Sequence, residues 1–353
     1  MILLNILKGN NMSVIASIKS FRYHIGYYRL TKRFLKFGLP EITSEEKRII
    51  RETWPGLHIY DMDFVHARVF KKIHGFSPFY LSPCWYNEIR AKMNPKDQLY
   101  ALENKALCDV YFPQLRFPEV YVRRLNGYFF DKDMNFITED VAIIILSAKK
   151  EFIIKPAIGS EQGDGVKKIK NTISTDWKSL FMEEGLNFIA QEVLKQAPEI
   201  EKLNPSSLNC FRVTTLWIDG KFGYSTALKV GKEGAFRDNW NCAYWVNVTE
   251  DGLLSEFGYD YNINAVSKTD NGIVFKGVQM PKYKEMIAHL KQMHKAIFPN
   301  CGVVGWDVTI DKDYNICIIE YNLWDPGTNI EQFVSGDFFR PFRDRMLNYI
   351  NKK

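Results

Sequence analysis

Residues 305–322 read GWDVTIDKDYNICIIEYN, and this stretch decides the fold. Its apolar residues alternate on either side of a polar cluster, which predicts strands at 303–310 and 316–322 joined by the loop Lys312–Asn315. In the first strand Val304, Trp306, Val308 and Ile310 share one face, and Asp307 and Thr309 take the other. A tight hairpin then sets Asp307 opposite Glu320, with Asn322 two residues on and on the same face as Glu320. Two carboxylates and an amide oxygen within one ion's reach are hard oxygen ligands, which suit Mg²⁺ shared with substrate phosphates. The competing reading is an acid-rich hairpin edge whose charges blunt strand pairing.

Upstream segments supply the basic groups. Glu151–Pro156 reads as a short strand carrying Lys155 on the face opposite Ile154, and strand character resumes at Gly165–Ile169. Between them Gly159, Ser160, Gly163 and Gly165 form a glycine-rich loop whose backbone N–H groups can approach phosphate oxygens, although most such loops are simply turns. It matches neither the P-loop nor the dinucleotide G-x-G-x-x-G pattern. Arg212, entering a strand after Asn209-Cys210-Phe211, can clamp a phosphate or make a surface ion pair. Further strands are expected at 188–194, 211–218, 222–230 and 243–248. Strand texture is also expected from about residue 108 and in the apolar run Val141–Leu146. Pro281–Phe298 reads as a helix, with Tyr283, Met286, Ile287, Leu290 and Ile297 at helical spacing.

Composition bounds the remainder. The chain has 353 residues, 46% hydrophobic and 25% charged, with 47 Lys+Arg against 41 Asp+Glu, as expected of a folded protein of two or three units. Residues 1–53 carry ten bases and four acids, so this arm holds the whole excess of +6. The arm reads as helical up to Gly38-Leu39-Pro40, and Thr43-Ser44-Glu45-Glu46 caps the next helix. A basic amphipathic arm can lie on an anionic membrane surface, but a solvated face on a docked helix is the commoner outcome. The six cysteines are scattered, without C-x-x-C or a neighbouring His to complete a zinc set. No apolar run reaches the ~18–20 residues of a membrane span, and a reduced, cytoplasmic compartment is expected. Nucleic-acid binding is disfavoured by the neutral body and the lack of a motif.

In their order along the chain, FIIKPAIGSEQGDGVKKI, FIAQEVLKQAPEIEKLNPSSLNCFRVTTLW and GWDVTIDKDYNICIIEYNLWDPGTNIEQ resemble the ATP-grasp superfamily. The likeness is to the branch associated with polysaccharide-building sugar transferases and related to the glutamate-ligating enzymes. It spans about 95–335, and more faintly LPEITSEEKRIIRETWPG. The resemblance implies an α+β fold in which two subdomains clasp ATP, with a mainly helical region at 1–95 and ATP-grasp parts at 96–190 and 191–353. It implies that Lys105 and Lys155 reach the nucleotide, that Gly159–Gly165 is a flap over the phosphates, and that Gln191, Glu192, Val193 and Leu194 form the hinge holding adenine. Arg212 then binds phosphate, Lys229 and Asn239 belong to the catalytic set, and Asp307, Glu320 and Asn322 hold one or two Mg²⁺ ions. The acceptor end involves Gly327, Asn329 and Gln332. Two departures touch that end: Asn241-Cys242 stand where the family has glycines, and Trp324-Asp325-Pro326 is bulkier than its pattern.

The activity so implied is an ATP-dependent carboxylate–amine ligase forming an acyl phosphate, with small-molecule or saccharide substrates, acting in cell-surface polysaccharide biosynthesis. One alternative is a kinase with a hydroxyl acceptor and Asp238 or Asp325 as base. Another is a non-catalytic nucleotide-binding partner of a sugar-transferase assembly, tethered to it or to the inner membrane face through residues 1–36.

Overall fold

The computed structural model describes residues 22–29, 31–159, 163–236, 241–324, 326 and 329–351. The chain divides into two compact units. The larger comprises Asn94–Trp217 and Phe222–Pro326; the smaller comprises Met1–Met93, Ile218–Lys221 and Gly327–Lys353.

The larger unit is built on two sheets. The first has six strands: β1 (Val120–Leu125), β2 (Tyr128–Phe130), β3 (Phe136–Ile137), β4 (Glu151–Pro156), β5 (Lys167–Lys170) and β6 (Phe188–Gln191), in the order β3-β2-β1-β6-β4-β5. The second has seven: β7 (Cys210–Ile218), β8 (Lys221–Gly231), β9 (Ala243–Val248), β10 (Leu254–Tyr259), β11 (Ala265–Val266), β12 (Val303–Ile310) and β13 (Ile316–Asn322). Their order is β11-β10-β9-β8-β7-β12-β13. Sheets of antiparallel strands with separate helices make an α+β architecture.

Strand β12 lies between β7 and β13, and all eight of its residues are buried. Its Val304, Trp306, Val308 and Ile310 join the main apolar core with Phe211, Val213, Leu228 and Val246. Covering this face is the helix Tyr283–Ile297, whose buried Tyr283, Met286, Ile287 and Leu290 sit at the predicted 3–4 spacing. Asp307 and Thr309, on the other face, are buried as well, so β12 is a fully interior strand.

The β12–β13 hairpin reaches its predicted pairing by another route. Ile310 pairs with Ile316, so the connection is five residues, Asp311–Asn315, and Asp311 accepts bonds from the backbone N–H of Asp313 and Asn315. A bulge between Ile318 and Glu320 then shifts the register by one and restores Asp307 opposite Glu320.

Three expectations are corrected. Val141–Leu146 is no strand: it lies in the helix Glu139–Ser147, capped by Thr138 and burying only Ala142 and Leu146, one turn apart. Strand texture from residue 108 begins with a helical turn, Cys108–Tyr111, and β1 starts at Val120. The strand expected at 188–194 ends at Gln191, after which Glu192 pairs through both backbone and carboxylate with the backbone of Glu119.

In the smaller unit Thr43 and Glu46 form a reciprocal cap on the helix Ser44–Thr53. Lys8 and Lys19 lie outside the described residues. Of the remaining bases, Arg48 bridges Glu45 and Glu52, while Lys47 and Arg51 both reach Asp61. These pairs absorb part of the positive charge that composition assigns to the arm. Among the described residues no helix is long and apolar enough to cross a membrane.

Trp306 is fully buried and its indole N–H donates to the Thr215 hydroxyl, 2.9 Å away, which also contacts His294. Trp306→Ala is expected to destabilise the protein by about 3–5 kcal/mol in urea unfolding, through the cavity it leaves and the loss of one hydrogen bond to Thr215. Trp306→Phe should lose less.

Candidate functional site

Neighbouring strands of the seven-stranded sheet each place one charged side chain in a common cluster: Lys229 on β8, Arg212 on β7, Asp307 on β12 and Glu320 on β13. Arg212 is the direct ladder partner of Asp307, and Asp307 that of Glu320. The Asp307 Oδ1 lies 3.1 Å from Lys229 Nζ and 3.3 Å from Arg212 Nε. Burial alone would raise the Asp307 pKa, but the guanidinium and ammonium beside it outweigh burial and hold the carboxyl below its usual range. Glu320 sits within hydrogen-bonding reach of the same carboxylate. Two acidic groups so close are relieved by a shared proton or, more effectively, by a shared cation.

Gly305, two residues before Asp307, makes room for the arginine. A Cβ there would stand 3.0 Å from Arg212 Nη1 and 2.7 Å from the Pro326 carbonyl oxygen. Sequence reasoning missed this residue, although a glycine inside a strand is the ordinary signal of a close approach.

On the other side of Glu320 a pocket is lined by Lys105, Lys155 and Gln191, with Val120, Ile189 and Ile319 as apolar walls. Lys105 Nζ lies 3.5 Å from Glu320 Oε2, and its backbone N–H donates to the Ala157 carbonyl just past β4. Lys155 is only 7% exposed. Burial lowers its pKa, and Lys105 lowers it further while Glu320 opposes both. The three apolar walls carried no signal, because Val and Ile in strands are ordinary core residues. Only pairing reveals them: Val120 lies opposite Gln191, and Ile189 opposite Lys155.

The glycine loop follows β4 directly. Gly159, Gly163 and Gly165 all have positive φ, and a Cβ on Gly165 would meet the Pro156 ring at 2.7 Å. Ser160 and Asn239 lie outside the described residues, as do Asp238, Asp325 and Gly327. Glu192, Val193 and Leu194 leave the ladder beyond Gln191, the Glu192 carboxylate being spent on the Glu119 N–H. Asn329 and Gln332 belong to the smaller unit. There the Gln332 amide bonds both backbone groups of Leu81, and the Asn329 amide donates to the Tyr27 hydroxyl.

The oxygen-rich end fits a hard divalent cation. Besides Asp307 and Glu320 it offers Asn322, whose buried Nδ2 has no hydrogen-bond partner among the described residues. Turned over, the same amide presents its oxygen. Charge also fits an anionic ligand: four basic groups, Lys105, Lys155, Arg212 and Lys229, gather about Asp307 and Glu320.

A family model described as sugar-transfer associated ATP-grasp matches residues 86–346. No curated protein matches the chain. Similar solved structures include D-alanine–D-alanine ligase from Helicobacter pylori, at 11% identity and a TM-score of 0.43, covering 74% of this chain and 62% of that one. D-cycloserine synthetase is similar at 11% identity and a TM-score of 0.42, covering 73% of this chain and 74% of that one. Carboxyaminoimidazole ribonucleotide synthase from Aspergillus clavatus, complexed with ATP, aligns at 12% identity with a TM-score of 0.38, over 65% of this chain and 46% of that one. The chain thus spans less than two thirds of the length of the first of these.

Asp307→Asn leaves two buried cations without their carboxylate and is expected to destabilise the protein by about 3–5 kcal/mol at neutral pH. Because the folded pKa is depressed, this contribution is present above the unfolded value of about 3.9 and fades as pH falls through the folded one. Urea unfolding of both proteins from pH 7 downward should therefore show a gap that narrows below pH ~4.

Proposed function

The chain belongs to the sugar-transfer associated ATP-grasp family, and from that premise we propose that it is a Mg-ATP-dependent ligase joining a carboxylate to an amine through an acyl phosphate. The observation that carries this reading is the cluster of Lys229, Arg212, Asp307 and Glu320 on neighbouring strands, with Lys105 and Lys155 beyond Glu320.

A triphosphate with one magnesium carries about two negative charges, which the basic groups of the site can meet. Val120, Ile189 and Ile319 form apolar walls suited to a flat base, with Gln191 at the edge of the pocket. Asp307, Glu320 and Asn322 would hold Mg²⁺, which when bound neutralises charge on the β- and γ-phosphates. Lys155 and Arg212 neutralise charge on the phosphoryl group as it moves onto the acceptor carboxylate. Phosphoryl transfer of this kind needs positioning and charge stabilisation but no nucleophilic side chain, and cations, carboxylates and the amides of Gln191 and Asn322 are what the site gathers. The glycine loop after β4 would keep water from the acyl phosphate until the amine attacks. The family's association with sugar transfer supports acceptors among sugar acids or amino acids that decorate a surface polysaccharide.

Glu320→Gln is expected to lower ATP turnover by at least ~100-fold, since it removes a carboxylate from the centre of the site, with circular dichroism unchanged. ADP release should be stimulated by candidate carboxylates, and hydroxylamine in place of the amine should yield a hydroxamate. Stable phosphoester formation with a hydroxyl acceptor would overturn ligation in favour of a kinase. Full turnover in Glu320→Gln would overturn the site itself.

A further inference from the structure

Within the larger unit, Trp324 stands between the two ends of the charged cluster. Two residues before it Asn322 closes β13, and two residues after it the Pro326 carbonyl accepts from Arg212 Nη1 at 3.5 Å. Two residues of chain span at most about 7 Å, so the Trp324 backbone lies that close to both. The pocket assigned to the nucleotide lies beyond Glu320, with Lys105 and Lys155. An acceptor meeting the transferred phosphoryl group therefore approaches from the side of Arg212 and Asp307, which Trp324 borders.

We propose that Trp324, Lys96 and Tyr100 form the acceptor subsite, and that the acid it takes is a sugar acid rather than an amino acid. The proposal rests on the ligase reading above and names its substrate class. Three features argue for it. First, Trp324 is fixed by the same segment that supplies the nucleotide lysine. The backbone N–H groups of Leu323 and Trp324 both donate to Glu103 Oε1, at 2.6 and 2.8 Å. Glu103 lies two residues before Lys105, which reaches Glu320, and the Tyr321 hydroxyl donates to the Leu102 carbonyl. The stretch from Lys96 to Lys105 is thus laced to the end of β13 at several points.

Second, Lys96 stands between two aromatic rings, its Nζ 5.1 Å from the Tyr100 centroid and 5.1 Å from that of Trp324. Lys96 is exposed, Tyr100 is 60% exposed and Trp324 is partly buried. A ring as open as Tyr100 contributes little to a core, and an ammonium held between two rings keeps its charge at a defined place beside them.

Third, the chemistry of the group matches a pyranose. Such a ring carries an apolar face of C–H groups and a rim of hydroxyls, so it stacks on an aromatic side chain while an ammonium bonds its rim. Its carboxylate is then left to the cations of the cluster, Arg212 and Lys229. A small amino acid has no flat face to set against the indole. The bulk at Trp324, which departs from the family's pattern, supplies that surface. The linear sequence hides the subsite because Lys96 and Trp324 lie far apart in the chain.

The test is calorimetric titration of the full chain, loaded with Mg²⁺ and a non-hydrolysable ATP analogue, with D-glucuronate and D-galacturonate, and with L-glutamate and D-alanine as amino-acid probes. Expected is binding of a uronate that Trp324→Ala and Lys96→Met each weaken about 10-fold, that Trp324→Phe largely restores, and that leaves affinity for the analogue within about twofold. Wild-type protein that binds no uronate, or Trp324→Ala that binds one as tightly as wild type, would overturn the proposal. Should Trp324→Ala fail to fold, Lys96→Met and Tyr100→Ala, both at exposed positions, decide it: unchanged uronate affinity in both overturns the subsite. Failure of the ligase reading shows separately, because a phosphoester formed from ATP and a uronate would refute ligation while the binding affinities still follow Trp324.

Discussion

The seven-stranded sheet is organised around one buried carboxylate. Asp307 is 5% exposed on an interior strand, and an isolated charge there would be prohibitively unfavourable. It is tolerated because the two strands preceding β12 in the sheet order contribute Arg212 and Lys229 to the same oxygen. That constraint reaches far: β7 must pair with β12 in the register that sets Arg212 beside Asp307. Position 305 must lack a side chain, and the bulge in β13 must bring Glu320 rather than Ile319 opposite Asp307. A slip of one residue in either pairing would bury a charge without a partner, so the electrostatics and the register enforce each other.

The sequence made this part legible because its signals are local. The alternation around Asp307 and Glu320, the polar turn between them and the helix starting near Pro281 are all carried by neighbouring residues. Even so, the hairpin shows the limit of such reading. A four-residue loop and a regular ladder give the same Asp307–Glu320 pair as a five-residue loop and a bulge. Counting residues cannot separate the two, since the Asp311 side chain that organises the longer turn can equally be read as part of a strand.

What stayed hidden depends on tertiary context. Val141–Leu146 is as apolar as a buried strand, yet only Ala142 and Leu146 are fully buried, Ile143 and Ile145 pack partly buried against the same core, and Val141 and Ile144 are exposed. The cap at Thr138 was the local clue, outweighed by the density of β-branched residues. The walls of the pocket are assembled from segments far apart in sequence, and their residue types are unremarkable singly. Gln332 shows the converse: matched by resemblance to the acceptor end, it has both ends of its amide bonded to the Leu81 backbone.

The distribution of charge narrows what the larger unit can hold. Lys155 and Lys229 are each under a tenth exposed; Asp307 stands beside both Lys229 and Arg212, and Glu320 acts on Lys155 and lies 3.5 Å from Lys105. Gathering four cations in one site, two of them buried, sets like charges against one another in the empty protein. A ligand that binds only the folded state can offset such repulsion, and an anion is the kind that does so here. Stability of the larger unit should therefore be coupled to occupancy of this site more strongly than area of contact alone would produce, because binding relieves repulsion that folding by itself leaves in place.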